Sequence, residues 1–188
     1  RFTIQPFSRT DNGGKTQTVT ARSGRAPVTE QATRIILKAE HLGTNAQEPS
    51  EGPIANLIDG NTATFFHTAW SVAIPGQHWL QIRLPEALTE GHWKFWYAPR
   101  NNGRQKPTDF DILVSTGGSD WTLVKKFTKD EDGLPVTATD AYTSPNLPVT
   151  QPFDHIRMVV NAVNSGEVFF TMSEFRLWQV KVVDPEAE

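Results

Sequence analysis

The sequence contains no cysteine. Disulfide frameworks, thiolate zinc sites and thiol nucleophiles are therefore excluded, while the compartment stays open, because many bacterial secreted proteins fold without disulfides. No apolar run approaches the ~18 residues of a membrane span, so no membrane insertion is expected. Eighteen Lys and Arg stand against 21 Asp and Glu, a net charge of -3 with no dense basic run, which argues against nucleic acid as a partner. An N-terminal signal pattern is missing too, and the chain begins at Arg1 rather than Met, as expected of a mature or excised piece of a longer protein. The nucleophile elbow, the His-Glu-x-x-His helix, phosphate-cradling glycine loops and the dinucleotide fingerprint are all absent. Acidic residues such as Asp109, Asp111 and Asp130–Asp132 are not brought together by any sequence pattern, so the chain is expected not to be an enzyme.

Helical periodicity is nearly absent as well. What is present is alternation. "WLQIRL" sets Leu80, Ile82 and Leu84 on one face, and "WKFWY" sets Trp93, Phe95 and Tyr97 against Lys94 and Trp96. "FDILVS" groups Phe110, Ile112 and Val114; "HIRMVV" groups Ile156, Met158 and Val160. "TRIILKAE", "WTLVKKF" and "EFRLWQVKVV" read as strands from their β-branched and aromatic content. Turn dipeptides punctuate these runs at Asp59-Gly60, Asn102-Gly103, Gly117-Gly118 and Asp132-Gly133. Many short strands so divided predict an all-β sandwich or jelly roll. The one place for a short helix is "PIANLID", with Ile54, Leu57 and Ile58 inward.

The 188 residues suit one domain with an extra N-terminal segment. Residues 1–33, polar and rich in Thr, Arg and Gly, read as an N-terminal extension with one strand near Thr16–Ala21: a hairpin, or the remnant of a preceding domain and its linker. The main body is expected over 34–183, with 184–188 as a frayed tail. Residues 128–152 carry four prolines and read as a long irregular connection.

The stretch "NLIDGNTATFFHTAW" (Asn56–Trp70) is the densest in chemistry. Asp59-Gly60-Asn61-Thr62-Ala63-Thr64 offers carboxylate, amide and hydroxyl oxygens in six residues, the hard donors that Ca2+ takes six to eight at a time. Asp-Gly is equally a plain turn.

Four blocks, "ANLIDGNTATFFHTAWS", "HWLQIRL", "FWYAPRNNGRQKPTDFDILVSTGGSDWTLV" and "FFTMSEFRLWQV", resemble in that order the F5/8 type C (discoidin-like) family, whose bacterial branch merges with the family 32 carbohydrate-binding modules. The resemblance covers roughly residues 34–180. It implies a jelly-roll β-sandwich, galactose-binding-domain-like, of about eight main strands. It also implies a structural Ca2+ held by Asp59, Thr64 and Glu174, with carbonyl oxygens near Asn56 and Thr62 and Asn61 as a further candidate.

Sugar recognition pairs an aromatic shelf with directional donors and acceptors on loops. "YAPRNNGRQKP" supplies Tyr97, Arg100, Asn101, Asn102 and Arg104, and in the resembling family this loop carries a ligand-contacting Arg, matched by Arg100 or Arg104. In the first loop Phe66 is the expected platform and Trp70 the first choice for the core. His67 falls where the family has a His after an aromatic, and a buried structural role competes with a ligand contact. "NSGEVFF" offers Asn164 and Phe169, with one of Phe169 and Phe170 inward. His41, His78, His92 and His155 lack metal-ligand spacing.

The expected function is a non-catalytic carbohydrate-binding module of a larger bacterial protein, extracellular, periplasmic or on the cell surface. Its partners would be a glycan and other domains of the same polypeptide. The alternative is a protein-interaction or adhesion module of the same fold.

Overall fold

The structure, a computed structural model, describes residues 7–10, 16–19, 29–137 and 140–183. The chain divides into two units, Arg1–Thr29 with Val182–Glu188, and Glu30–Lys181. In the first, β1 (Phe7–Thr10) pairs antiparallel with β2 (Thr16–Val19), Phe7 opposite Val19.

The second unit is a sandwich. One layer has the order β10 (Tyr142–Thr143), β7 (His92–Ala98), β14 (Glu174–Val183), β3 (Thr29–Ile35), with β11 (Leu147–Pro148) also on β7. The other has the order β4 (Leu42–Thr44), β6 (Trp79–Leu88), β12 (Phe153–Val163), β8 (Pro107–Ser115), β9 (Thr122–Thr128). A small sheet joins β5 (Phe66–His67) to β13 (Thr171–Met172).

The period-2 patterns face where the alternation sends them. Leu80, Ile82 and Leu84, Phe110, Ile112 and Val114, and Ile156, Met158 and Val160 are buried between the layers opposite Trp93, Phe95 and Tyr97. Phe95 is the hub, stacked on Phe175 (5.9 Å, 9°) and Tyr97 (6.5 Å, 15°) and edge-on to Phe127 (5.4 Å). Truncating such a ring to Ala costs ~3–5 kcal/mol, so this aromatic stack is the main weight of the core. Pro85, inside β6, has no N–H for the ladder; the register of β12 on β6 shifts between Phe153 and His155, opposite that stretch.

Two expectations need correction. "PIANLID" does form a 3₁₀ turn (Ile54–Ile58, Leu57 fully buried), but Ala39–His41 and Lys129–Asp132 are helical too. The second is set by local chemistry: the Thr128 hydroxyl accepts from the Glu131 N–H, and Gly133 closes the turn at φ 65°. Residues 128–152 are also less irregular than expected, since β10 and β11 pair with β7 and bury Tyr142 and Leu147.

Candidate functional site

The loops at one end of the sandwich make a cleft of about 380 Å³ lined by Glu51, His67, Trp70, Arg100, Arg104 and Phe169, among others. Pairing of β5 with β13 sets Thr171 opposite His67 and brings the His67 ring within 5.7 Å of Phe169. The Gly52 carbonyl steadies this arrangement, accepting from His67 N at 3.0 Å. A Cβ there would sit 2.7 Å from that nitrogen, and φ is +59°, so only glycine fits. His67 Nδ1 donates to the Thr68 carbonyl (2.6 Å), so Nε2 is the ring nitrogen not engaged by that bond. His67 is thus buried and structurally bonded, and it also lines the cleft.

Trp70 overturns its expected place in the core. It is 50% exposed at the rim, its indole donating to Glu51 Oε1 (3.0 Å). What holds it is Glu48, which no sequence pattern singled out. This buried carboxylate accepts from Trp70 N (2.9 Å), Ser71 N (3.0 Å), both Ser50 groups and the Ser71 hydroxyl. Burial alone would push its pKa up; the hydrogen bonds from Ser50, Ser71 and Trp70 outweigh it and hold the group well below the ordinary carboxylate range.

The reverse correction applies to Phe66 and Tyr97. Both have no exposed surface and pack in the core, Phe66 against Phe170, so neither can touch a ligand. Phe66, the first residue of β5, turns inward, while Phe65 just before the strand is half-buried. Phe65 instead carries the Arg100 guanidinium 3.5 Å above its ring centroid. At the other end Phe170 is inward and Phe169 lines the cleft.

The 100–105 loop is pinned from below. The fully buried Lys106 ammonium donates to the Arg100 carbonyl (2.6 Å), its pKa lowered by burial and by neighbouring Arg100. Asn164 spends both ends of its amide on this loop, accepting from Lys106 N (3.0 Å) and donating to the Gly103 carbonyl (2.9 Å). Asn164 is thus a strut of this loop. Asn102 is partly spent the same way, accepting from Arg104 N (3.1 Å). Arg104, 65% exposed, is paired with Glu167 at 2.5 Å. Asn101 points its surroundings elsewhere: it lines a neighbouring cleft of about 650 Å³ with Phe65, Trp96, Arg100 and Ser173.

The acidic turn lies beside that second cleft. Thr64 Oγ1 stands 2.7 Å from both Asp59 Oδ2 and the Asn61 carbonyl, and Asn61 Oδ1 accepts from Ala63 N (3.0 Å). The Asn56 amide donates to the Phe65 carbonyl (2.8 Å). Glu174, with no exposed surface, reaches across from β14: Oε1 accepts from Gly60 N (2.6 Å), while Oε2 has no hydrogen-bond partner, Arg176 Nε standing 3.6 Å away. Burial raises the Glu174 pKa and Asp59 adds to the rise, while the Thr64 hydroxyl lowers that of Asp59. The two carboxyls resist being ionised together. Among the described residues no three His, Asp or Glu side chains converge, so any cation here would depend on backbone and hydroxyl oxygens as well, the donor set of a hard ion.

A family model, the F5/8 type C domain, matches residues 38–175. The chain belongs to the F5/8 type C family. Over 183 residues it is 26% identical to a sialidase of Micromonospora viridifaciens, a match that takes in 94% of this chain and 26% of the sialidase, so the chain spans about a quarter of that relative. Among solved structures, the family 32 carbohydrate-binding module of NanJ from Clostridium perfringens, in complex with galactose, superposes with a TM-score of 0.56 at 24% identity, over 79% of this chain and 100% of that one. CpGH89CBM32-5 from the same organism, in complex with GalNAc-beta-1,3-galactose, gives 0.57 at 19% identity, over 79% and 94%. The F5/8 type C fold of this chain is therefore that of the family 32 modules, a jelly-roll sandwich.

Proposed function

We propose that this chain is a non-catalytic carbohydrate-binding module of a larger secreted or surface protein, and that it holds a terminal sugar of the galactose type in the cleft between His67, Trp70, Arg100 and Phe169. The observation that carries the reading is the exposed Trp70 indole facing a built polar wall. An aromatic shelf takes the apolar C–H face of a pyranose, and a hydroxyl edge needs fixed donors and acceptors. The His67 ring and the guanidinium of Arg100 supply both, and the Lys106 and Asn164 bonds hold the Arg100 loop in place before ligand arrives. The axial 4-hydroxyl of galactose leaves one ring face unbroken for stacking, and galactose is the ligand of the NanJ module.

The Asp59 turn fits a structural Ca2+. Glu174 presents a buried oxygen without a hydrogen-bond partner next to a second carboxylate. Asp59 and Glu174 would hold the ion, with oxygens of Thr64, Asn61, Asn56 and Thr62 as the remaining candidates. When bound, Ca2+ supplies positive charge that lets both carboxyls ionise; the residues themselves then tie the loop before β5 to the start of β14.

A glycan array probed with the wild-type chain and Trp70→Ala tests the sugar reading. Selective signal on galactose-terminated glycans, lost in the variant, is expected; silence of the wild-type chain across the array would overturn it.

A further inference from the structure

Arg100 lines two clefts at once. Its guanidinium, seated 3.5 Å over the Phe65 ring, forms a ridge with the proposed terminal-sugar cleft on one side and the 650 Å³ cleft on the other. The larger cleft is open because the groups around it are small: Ala63, Ala98, Pro99 and Ala141. Trp96, on the outward face of β7, lines it as well. The exposed Asn101 amide is free to hydrogen-bond there, and the guanidinium edge of Arg100 borders it. Trp96 in turn lines a third cleft, of about 420 Å³, running over the sheet face past Lys94, Arg176 and Trp178.

We infer that the second cleft is a further sugar subsite, so that the module grips an oligosaccharide across the Arg100–Phe65 ridge rather than a single terminal residue. This rests on the reading of the first cleft as the terminal-sugar site. As in the first cleft, a Trp indole stands with side chains that can hydrogen-bond, here Trp96 with Asn101 and the shared Arg100. The volume lies within the ~300–1,000 Å³ of ordinary small-molecule sites. The chain leaving the first sugar must cross Arg100, whose edge then donates to two residues in succession. Trp96 carries the path onward to the Trp178 face, where Arg176 lies 4.4 Å over the Trp96 ring.

The test is calorimetric titration of galactose and of galactose-terminated di- and tetrasaccharides into the wild-type chain, Trp96→Ala and Ala63→Trp. Ala63 is exposed on its loop and lines the second cleft, so a Trp there is chosen to fill it. The tetrasaccharide should bind about tenfold more tightly than galactose, and both variants should bring it back to the galactose value while leaving galactose itself unchanged. Affinity that does not depend on length in the wild-type chain, with galactose still bound, overturns the subsite and leaves the terminal-sugar reading standing. Failure of galactose and all its glycosides to bind overturns both.

Discussion

Replacing Glu174 by Gln separates a metal ligand from a buried structural carboxyl. The amide keeps the shape and can still accept from Gly60 N through its oxygen, a bond of 2.6 Å in the wild-type chain. It loses the charge and the acceptor capacity of Oε2, which an NH2 donor replaces. Because burial and Asp59 raise the pKa of Glu174, the ionised carboxylate is disfavoured in the metal-free fold. In chelator, Glu174→Gln should therefore melt at or slightly above the wild-type temperature. In calcium the order should reverse. An ion at ~100 times its dissociation constant adds about 2.7 kcal/mol to the folded state. For a chain of this size each kcal/mol moves Tm by ~2–4 °C, so the wild-type chain should gain about 5–10 °C that the variant does not. Differential scanning calorimetry of both proteins in chelator and in calcium gives the four values. Equal destabilisation of the variant in both buffers, or a wild-type Tm indifferent to calcium, would refute the reasoning.

The same pair predicts a pH dependence. A raised Glu174 pKa means that a proton competes with the ion, so the calcium increment in Tm should shrink as pH falls from neutral toward the ordinary carboxylate range. The metal-free fold should change the opposite way, losing a little stability as pH rises through that range; parallel curves with and without calcium would contradict this. Tyr97→Phe removes a fully buried hydroxyl with no partner, so it should leave Tm unchanged or raise it, by up to ~1–2 kcal/mol, and leave sugar affinity untouched. A clear fall in either would show that the hydroxyl is used. Glu48→Gln should lower sugar affinity without touching the sugar, since it turns a donor toward the Trp70 and Ser71 N–H groups; unchanged affinity by titration would show that Trp70 is placed by something else.

How much of this was legible in the sequence depends on how long each pattern runs. In β6, β7, β8 and β12 the alternation extends over enough residues to fix which side faces the core, and Trp93, Phe95 and Tyr97 follow it. Tyr97 was misread only when it was treated as part of the loop that follows. β5 is only two residues long, too short for an alternation to show that Phe66 belongs to the core and Phe65 before it does not; pairing of Phe66 with Met172 in β13, about a hundred residues away, decides it. Trp70 is a large aromatic beyond the strand, and composition alone favours burying it. Its exposure is imposed by Glu48, 22 residues earlier, through bonds that no spacing rule encodes. The second cleft is written in small side chains and an outward Trp96, features that carry no motif at all.

The central claim is that a sugar sits on Trp70. The chain has six tryptophans, and their indole N–H signals can be followed separately by NMR during a titration with galactose. The account predicts a saturable shift of the Trp70 signal, with the buried Trp93 signal unmoved. A titration that leaves Trp70 still, whether or not another indole responds, would contradict it.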